Sequence, residues 1–147
     1  MSLFRDLGQA FQLLSQYNCS EALEQLTKLP PRHHDTAWVL GLTGRAHFET
    51  GEYASAVRAF SEAKERDPHC PEMAEYHSTA LWHLQREVQL SALAQDLIQM
   101  DPETPQAWCA VGNCFSLQKE HEAAIRFFSR AIQVCLIIFF LQVIFVF

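Results

Sequence analysis

A 34-residue spacing is the feature that most constrains the fold of this 147-residue chain. Asp67-Pro68 and Asp101-Pro102 lie 34 residues apart, and each ends a stretch in which apolar residues recur at helical spacing. Placing each Pro at the same point of a 34-residue unit gives the tiles 37–70, 71–104 and 105–138, and a further tile, 3–36, by extension. The spacing therefore predicts an array of repeats.

Equivalent positions of the four tiles carry similar residues. One position is always small, and it is followed by a stripe of small and then large apolar residues at offsets of four and three. Two closely packed antiparallel helices need such a pattern, because a small residue lets their axes approach. The residues predicted to pack the repeats are Gly44, Ala56, Phe60, Ala63, Trp108, Gly112, Phe115, Ala124, Phe128 and Ala131. No alternating stretch before residue 134 predicts a strand.

This helix-turn-helix unit resembles the tetratricopeptide repeat, and its best copy runs from Pro105 through Gly112 and Phe128. The resemblance implies an all-α fold, a right-handed α-solenoid of antiparallel helix pairs. It divides the chain into five segments. These are a degenerate first helix pair at 1–36, a repeat at 37–70, a degenerate repeat at 71–104, a further repeat at 105–134 and an apolar tail outside the family at 135–147. The predicted chain has seven or eight helices.

A closer resemblance rests on strings that helix packing does not require. Tyr17-Asn18-Cys19, the run 81–85 and the run 112–118 are similar to the scaffold-subunit family of the anaphase-promoting complex, the cell division cycle protein twenty-seven family. The resemblance implies a non-catalytic scaffold that acts in mitosis, in nucleus and cytoplasm, and binds other subunits of a ubiquitin ligase. Cys135-Leu136 stand where the family has Asp-Pro, which implies a truncated fragment or isoform.

The resemblance also implies a partner groove, because the first helix of each unit lines the concave face in that family. The predicted groove residues are Trp38, Arg45, Glu49, Thr79, Trp82, His83 and Asn113. Two alternatives stay open: these residues contact a helix of a neighbouring subunit, or they contact only water. A second function also stays open, that of an independent peptide-binding adaptor or co-chaperone. Glu72 and Glu75 beside Arg45 count against a carboxylate clamp.

Composition argues against several other functions. The formal net charge is −6 without a basic cluster, so nucleic acid is not a predicted partner. The five cysteines form no CxxC pair, and neither they nor the histidines have metal-ligand spacing. Without a nucleophile motif or a phosphate loop, we predict no enzyme, no metal and no cofactor. His33-His34 is predicted to be a solvated loop, and His77 and His83 to lie on a helix surface.

The last fourteen residues differ from the rest of the chain. Thirteen of residues 134–147 are apolar and none is charged. As a helix they span about 21 Å, which is short of a hydrocarbon core of about 30 Å. A membrane is therefore not the favoured partner. We expect the tail to continue the last helix, to fold over an apolar face of the repeats and to promote self-association.

Overall fold

The computed structural model describes residues 2–146. Met1 and Phe147, which begin and end the predicted segments 1–36 and 135–147, lie outside the described residues. Between them the chain forms nine α-helices and no strand, which confirms the all-α class. The helices are α1 Ser2–Ser15, α2 Cys19–Thr27, α3 Pro31–His34, α4 Ala37–Glu49, α5 Tyr53–Arg66, α6 Ala74–His83, α7 Glu87–Met100, α8 Pro105–Leu117 and α9 His121–Val146.

The additional helix is α3, in the segment predicted to be a solvated loop. Pro31 stands at its first position, where a missing N–H costs nothing because that group has no intrahelical partner. Among the remaining helices three consecutive pairs pack together: α1 with α2, α4 with α5, and α8 with α9. Helices α6 and α7 follow one another along the chain between the second and third of these pairs. The chain divides into two compact units, one ending at Ala80 and one beginning at Leu81, so the boundary falls within α6.

The same left-handed turn follows α1, α4, α6 and α8. A positive φ occurs at Tyr17, Gly51, Gln85 and Lys119, with values of 61°, 81°, 56° and 61°. In each turn the following N–H donates to the carbonyl oxygen five residues back, for example from Glu52 to His47 at 2.9 Å. This is the Schellman motif, which satisfies carbonyls that the end of a helix leaves unpaired. The third turn spans 84–86.

Polar side chains mark the repeat boundaries at multiples of the 34-residue spacing. The hydroxyls of Thr36 and Thr104 accept hydrogen bonds from the backbone N–H groups of Val39 and Ala107, each at 3.4 Å, and so cap α4 and α8. The carboxylates of Asp67 and Asp101 each accept a bond from a backbone N–H two residues later. Hydrogen-bonded caps therefore mark the starts of α4 and α8, and Asp-Pro pairs mark the ends of α5 and α7.

The core of the first unit lies where α1, α2 and α4 meet, and it continues to the pairing of α4 with α5. Gly44 faces the ring of Phe60, which is 2% exposed. In the second unit Gly112 on α8 faces Phe128 on α9 in the same way. Both crossings bring a glycine against an aromatic ring, as close helix packing requires.

His77 corrects one prediction. Its side chain is 8% exposed and its ring lies 5.7 Å from that of Phe60, so it belongs to the core and not to the helix surface. Burial, with a smaller contribution from Lys64, lowers the pKa of His77 to about 4. His83, predicted with it, is exposed.

The last helix has two parts. Ala124 and Ala131 are buried against the repeat, whereas the described side chains from Cys135 to Ile144 are exposed. The tail therefore continues the last helix, as predicted, but the expectation that it folds back over the repeats is wrong. His121–Ile144 is long and apolar enough to cross a membrane by length and composition.

Candidate partner-binding surfaces

The predicted groove residues fall into the two units, and each unit carries its own surface. In the first unit Trp38, Arg45 and Glu49 are spaced by seven and four residues along α4, so they share one face of that helix. Thr79 lies on α6. Trp38 is 43% exposed and Glu49 is exposed. We call the set Trp38, Arg45, Glu49, Glu75, Tyr76 and Thr79 the α4–α6 surface.

Arg45 is the centre of this surface. Its guanidinium carbon lies 5.5 Å from the ring centroid of Tyr76, a cation–π geometry. Tyr76 in turn packs edge-to-face on Phe48 with ring centroids 5.3 Å apart. The Nε atom of Arg45 is buried and makes no hydrogen bond within residues 2–146. The aromatic pair therefore holds the guanidinium stem in place.

The charges around Arg45 are mixed. Burial raises the pKa of the Glu75 carboxyl, and the nearby Arg45 partly offsets that rise. The hydroxyl of Thr79 donates to the backbone carbonyl of Glu75 at 2.8 Å. Glu49 lies on the same face of α4, so two carboxylates accompany the Arg45 cation on this surface. This arrangement suits a partner with both polar and aromatic groups better than a purely acidic one.

The second unit holds Trp82, His83 and Asn113. The indole N–H of Trp82 donates to the hydroxyl of Ser116 at 3.1 Å, and its ring packs edge-to-face on His83 with centroids 5.0 Å apart. Asn113 is 8% exposed. Trp82 is thus tied to α8, and Asn113 belongs to the packed interior instead of an open groove. Sequence spacing assigns a helix face but does not show which face a neighbouring helix covers.

An aromatic stack in the second unit includes one residue that sequence reasoning missed. Phe127 stacks on Phe115 with centroids 5.1 Å apart and planes at 5°, and on Trp108 at 5.6 Å. Trp108 and Phe115 are only partly buried. Phe127 directly precedes Phe128, the residue that the repeat pattern selects, and an i, i+1 pair points in different directions on a helix. A second apolar stripe on α9 is the signal that could have found it.

A cavity of about 270 Å³ adjoins this stack and has an almost wholly apolar lining. It lies between the end of α7 and helices α8 and α9, beside Ile98, Val111 and Phe127. The indole Nε1 of Trp108, which also lines it, is buried and makes no hydrogen bond in the described part of the chain. The cavity offers mainly apolar contact, with the Trp108 N–H as a hydrogen-bond donor.

Metal and thiol chemistry find no support at these surfaces. Among residues 2–146 no group of three His, Cys, Asp or Glu side chains could hold a metal ion. Burial raises the pKa of Cys19 and that of Cys114, so both stay thiols at neutral pH.

The predicted packing residues lie at helix pairings: Ala56, Ala124 and Ala131 are buried and Ala63 is partly buried.

Comparison with solved structures gives the same architecture. The crystal structure of MamA covers 90% of this chain with a TM-score of 0.74 at 15% identity, and the chain covers 77% of it. A MamA fragment from Desulfovibrio magneticus gives a TM-score of 0.73 at 16% identity over 90% of this chain and 75% of that one. At such identities the likeness concerns the fold alone.

Curated relatives are far more similar in sequence. The chain is 53% identical over 134 residues to the cell division cycle protein 27 homolog of Homo sapiens, which covers 91% of this chain and 16% of the human protein. Identity is 47% over 133 residues to homolog B of Arabidopsis thaliana, across 90% of this chain and 18% of that protein. The anaphase-promoting complex subunit 3 of Dictyostelium discoideum is 39% identical over 133 residues, across 90% and 14%. The chain thus spans less than a fifth of these relatives.

A family model places the repeats directly on the residues. The tetratricopeptide repeat model matches residues 42–89 and 90–134, which contain both glycine–phenylalanine crossings and the last three left-handed turns. The match ends before the exposed apolar part of α9. Since it covers more than half of the chain, this protein belongs to the tetratricopeptide repeat family.

Proposed function

We propose that this chain is a non-catalytic protein–protein interaction scaffold, corresponding to part of a subunit of the anaphase-promoting complex and acting in mitotic cell-cycle control. The observation that carries the proposal is the contrast between two similarities. MamA has a similar fold at 15% identity, so the fold itself does not require high identity. The 53% identity over 134 residues to a cell division cycle protein exceeds what the fold needs and supports a shared set of partners.

The α4–α6 surface is the part of the first unit that we propose binds a partner protein. Exposed Trp38 supplies an apolar anchor, and Arg45, fixed over Tyr76, supplies a positioned cation. Aromatic and arginine side chains dominate the binding energy of protein interfaces. The two carboxylates, Glu49 and Glu75, favour a partner that also carries hydrogen-bond donors or a base. In this role the chain positions other ligase subunits and works in the nucleus and the cytoplasm.

The test is co-purification from mitotic cells. The full chain carries an affinity tag, and the captured proteins are identified by mass spectrometry. We expect subunits of the ligase to be enriched over a tag-only sample. The double variant Trp38→Ala/Glu49→Lys changes the α4–α6 surface, and we expect it to lose at least tenfold of that enrichment. A matched double variant, Val88→Ala/Glu62→Lys, changes two exposed residues elsewhere and should retain it.

Two results would contradict the proposal. Enrichment of chaperones without ligase subunits would favour the independent adaptor or co-chaperone. Equal loss with both double variants, while circular dichroism shows native helix content, would remove the α4–α6 surface from the interface.

A further inference from the structure

The exposed part of α9 is unlike any other surface of the described chain. We call residues 135–146 the apolar segment. It continues α9 without a break and follows the end of the family match at residue 134. Its sequence holds one glutamine and one cysteine among apolar residues and carries no charge. The repeat packing that explains the first part of α9 therefore does not explain this part.

The exposure of the segment runs around the whole helix. The six consecutive side chains from Leu136 to Leu141 are between 45% and 61% exposed. Six successive residues turn through more than a full circle at 3.6 residues per turn. No face of this helix is therefore packed against the protein. A helix that is apolar all round lies inside a large core or inside a membrane.

Two other kinds of helix share this length and composition. One is the core helix of a soluble protein, but only 6% of the most apolar stretch of His121–Ile144 is buried in this structure. The other is a secretory signal, which precedes the domain that it directs. This helix instead follows the folded repeats that α8 and the first part of α9 form.

We propose that the occupant of this surface is a lipid bilayer, into whose hydrocarbon the apolar segment inserts while the repeats stay in water. A second copy of the chain would cover one stripe of the helix, whereas hydrocarbon covers every face. The twelve residues extend about 18 Å, which passes the midplane of a hydrocarbon core of about 30 Å. Because the segment is a continuous helix, its backbone N–H groups find their partners within the helix, as hydrocarbon requires.

The start of the segment has the side chains of an interface. Arg126 and Arg130 are exposed on α9 within three turns before it, and the guanidinium carbon of Arg130 lies 6.0 Å from the ring centroid of Trp108. Arginine side chains settle at the boundary between headgroups and hydrocarbon, with their stems on the apolar side and their guanidinium groups in water. The chain has a formal net charge of −6, so attraction to anionic lipids is not the driving term. Zwitterionic vesicles are therefore the proper probe.

The length of the tail by itself disfavours a membrane. Residues 134–147 alone span about 21 Å as a helix, which is short of a hydrocarbon core of about 30 Å. The structure joins the segment to a helix that begins at His121, and His121–Ile144 is long and apolar enough to cross a membrane by length and composition. Self-association, the other expectation, becomes the competing outcome of the experiment.

The first experiment is flotation. The full chain is synthesised in a cell-free system with phosphatidylcholine vesicles and centrifuged through a density gradient in 1 M salt, which removes proteins held by charge. We expect the chain to float with the vesicles. The variant Ile137→Lys/Phe140→Lys places two charges in the segment, and we expect its floated fraction to fall at least tenfold. The control Val88→Lys/Ile125→Lys changes two exposed apolar residues outside it and should float normally.

The second experiment distinguishes insertion from aggregates that travel with vesicles. In the variant Phe140→Trp, a lipid brominated in its acyl chain should quench the additional tryptophan emission. The matched variant Phe4→Trp, at a side chain that is 80% exposed on α1, should add emission that the lipid does not quench. Flotation lost only in the lysine variant, together with quenching only in F140W, supports the proposal. A chain that stays in the soluble fraction as an oligomer, or floats without quenching of F140W, overturns it.

Discussion

Gly44 lies so close to the ring of Phe60 that a Cβ atom on the glycine would be 2.7 Å from two of the ring carbons. Real Cβ atoms essentially never show such a contact, so the pair requires a residue without a side chain. The same relation recurs between Gly112 and Phe128, 68 residues further along the chain. The distance between paired helix axes is therefore set by the same two residue types in both repeats.

Gly112→Leu should separate α8 from α9. Its side chain would enter the space of the Phe128 ring, and overpacking of this kind costs roughly 1–3 kcal/mol or more. The control is Gly8→Leu on α1, where a Cβ would meet nothing within 4 Å. There the higher helix propensity of leucine should stabilise the chain by roughly 0.5–1 kcal/mol. Urea unfolding followed by circular dichroism measures the free energy of unfolding of both variants. A change of the same sign in both would contradict the close crossing of α8 and α9 at Gly112.

Phe60→Ala should be among the most destabilising single changes. The ring is 2% exposed and fills the space between Gly44 and His77, so its loss leaves a cavity that costs roughly 3–5 kcal/mol. The equivalent Phe128→Ala should cost less than this range, because Phe128 is partly exposed. Phe4→Ala, at a side chain that is 80% exposed, should stay within about 0.5 kcal/mol. Thermal or urea unfolding that ranks the three differently would disprove this account.

The left-handed turns predict a difference between two substitutions by alanine. Gly51 has a φ of 81°, where an L-residue with a side chain is strained, so Gly51→Ala should cost roughly 1–2 kcal/mol. Lys119 occupies the equivalent turn at a φ of 61° and already bears that strain. Lys119→Ala should therefore change the free energy of unfolding by no more than about 0.5 kcal/mol. Equal effects in denaturant unfolding would show that the two turns differ in conformation.

His77 should make stability depend on pH. Its pKa is about 4 in the folded chain against 6.5 for an ordinary histidine, because burial, and to a smaller extent Lys64, disfavour the charged form. Between pH 6.5 and 4 the unfolded chain binds a proton that the folded chain does not. The contribution of neutral His77 to the free energy of unfolding is therefore fully present above pH 6.5 and is lost as the pH falls through 4. The total loss is about 3 kcal/mol.

The measurement is urea unfolding at several pH values across that window. His77→Leu should flatten this part of the profile, whereas His83→Leu, at an exposed histidine, should leave it unchanged. If the stability of His77→Leu still falls with pH as steeply as that of the unchanged chain, the pH dependence belongs to other titratable groups.

Much of the fold follows from local chemistry that the sequence contains. Asp-Pro pairs, the small residues at Gly44 and Gly112 and the helical period of the apolar stripes predict the four helix pairs, because each acts through its own backbone or its near neighbours. The close resemblance to one scaffold family was likewise visible in the strings of residues alone, and the relatives at up to 53% identity confirm it.

Other features depend on what each helix face meets, and the sequence does not encode that directly. Spacing placed His77 on a surface and the family resemblance placed Asn113 in a groove, yet packing buries both side chains. It selected Phe128 and missed Phe127, which stacks between Trp108 and Phe115. It also did not show that the non-glycine residues Tyr17, Gln85 and Lys119 adopt positive φ, because neighbouring helices hold those turns. The sequence determined the register of the repeats, whereas only the tertiary structure decided which side chains are covered, because burial depends on residues from other helices.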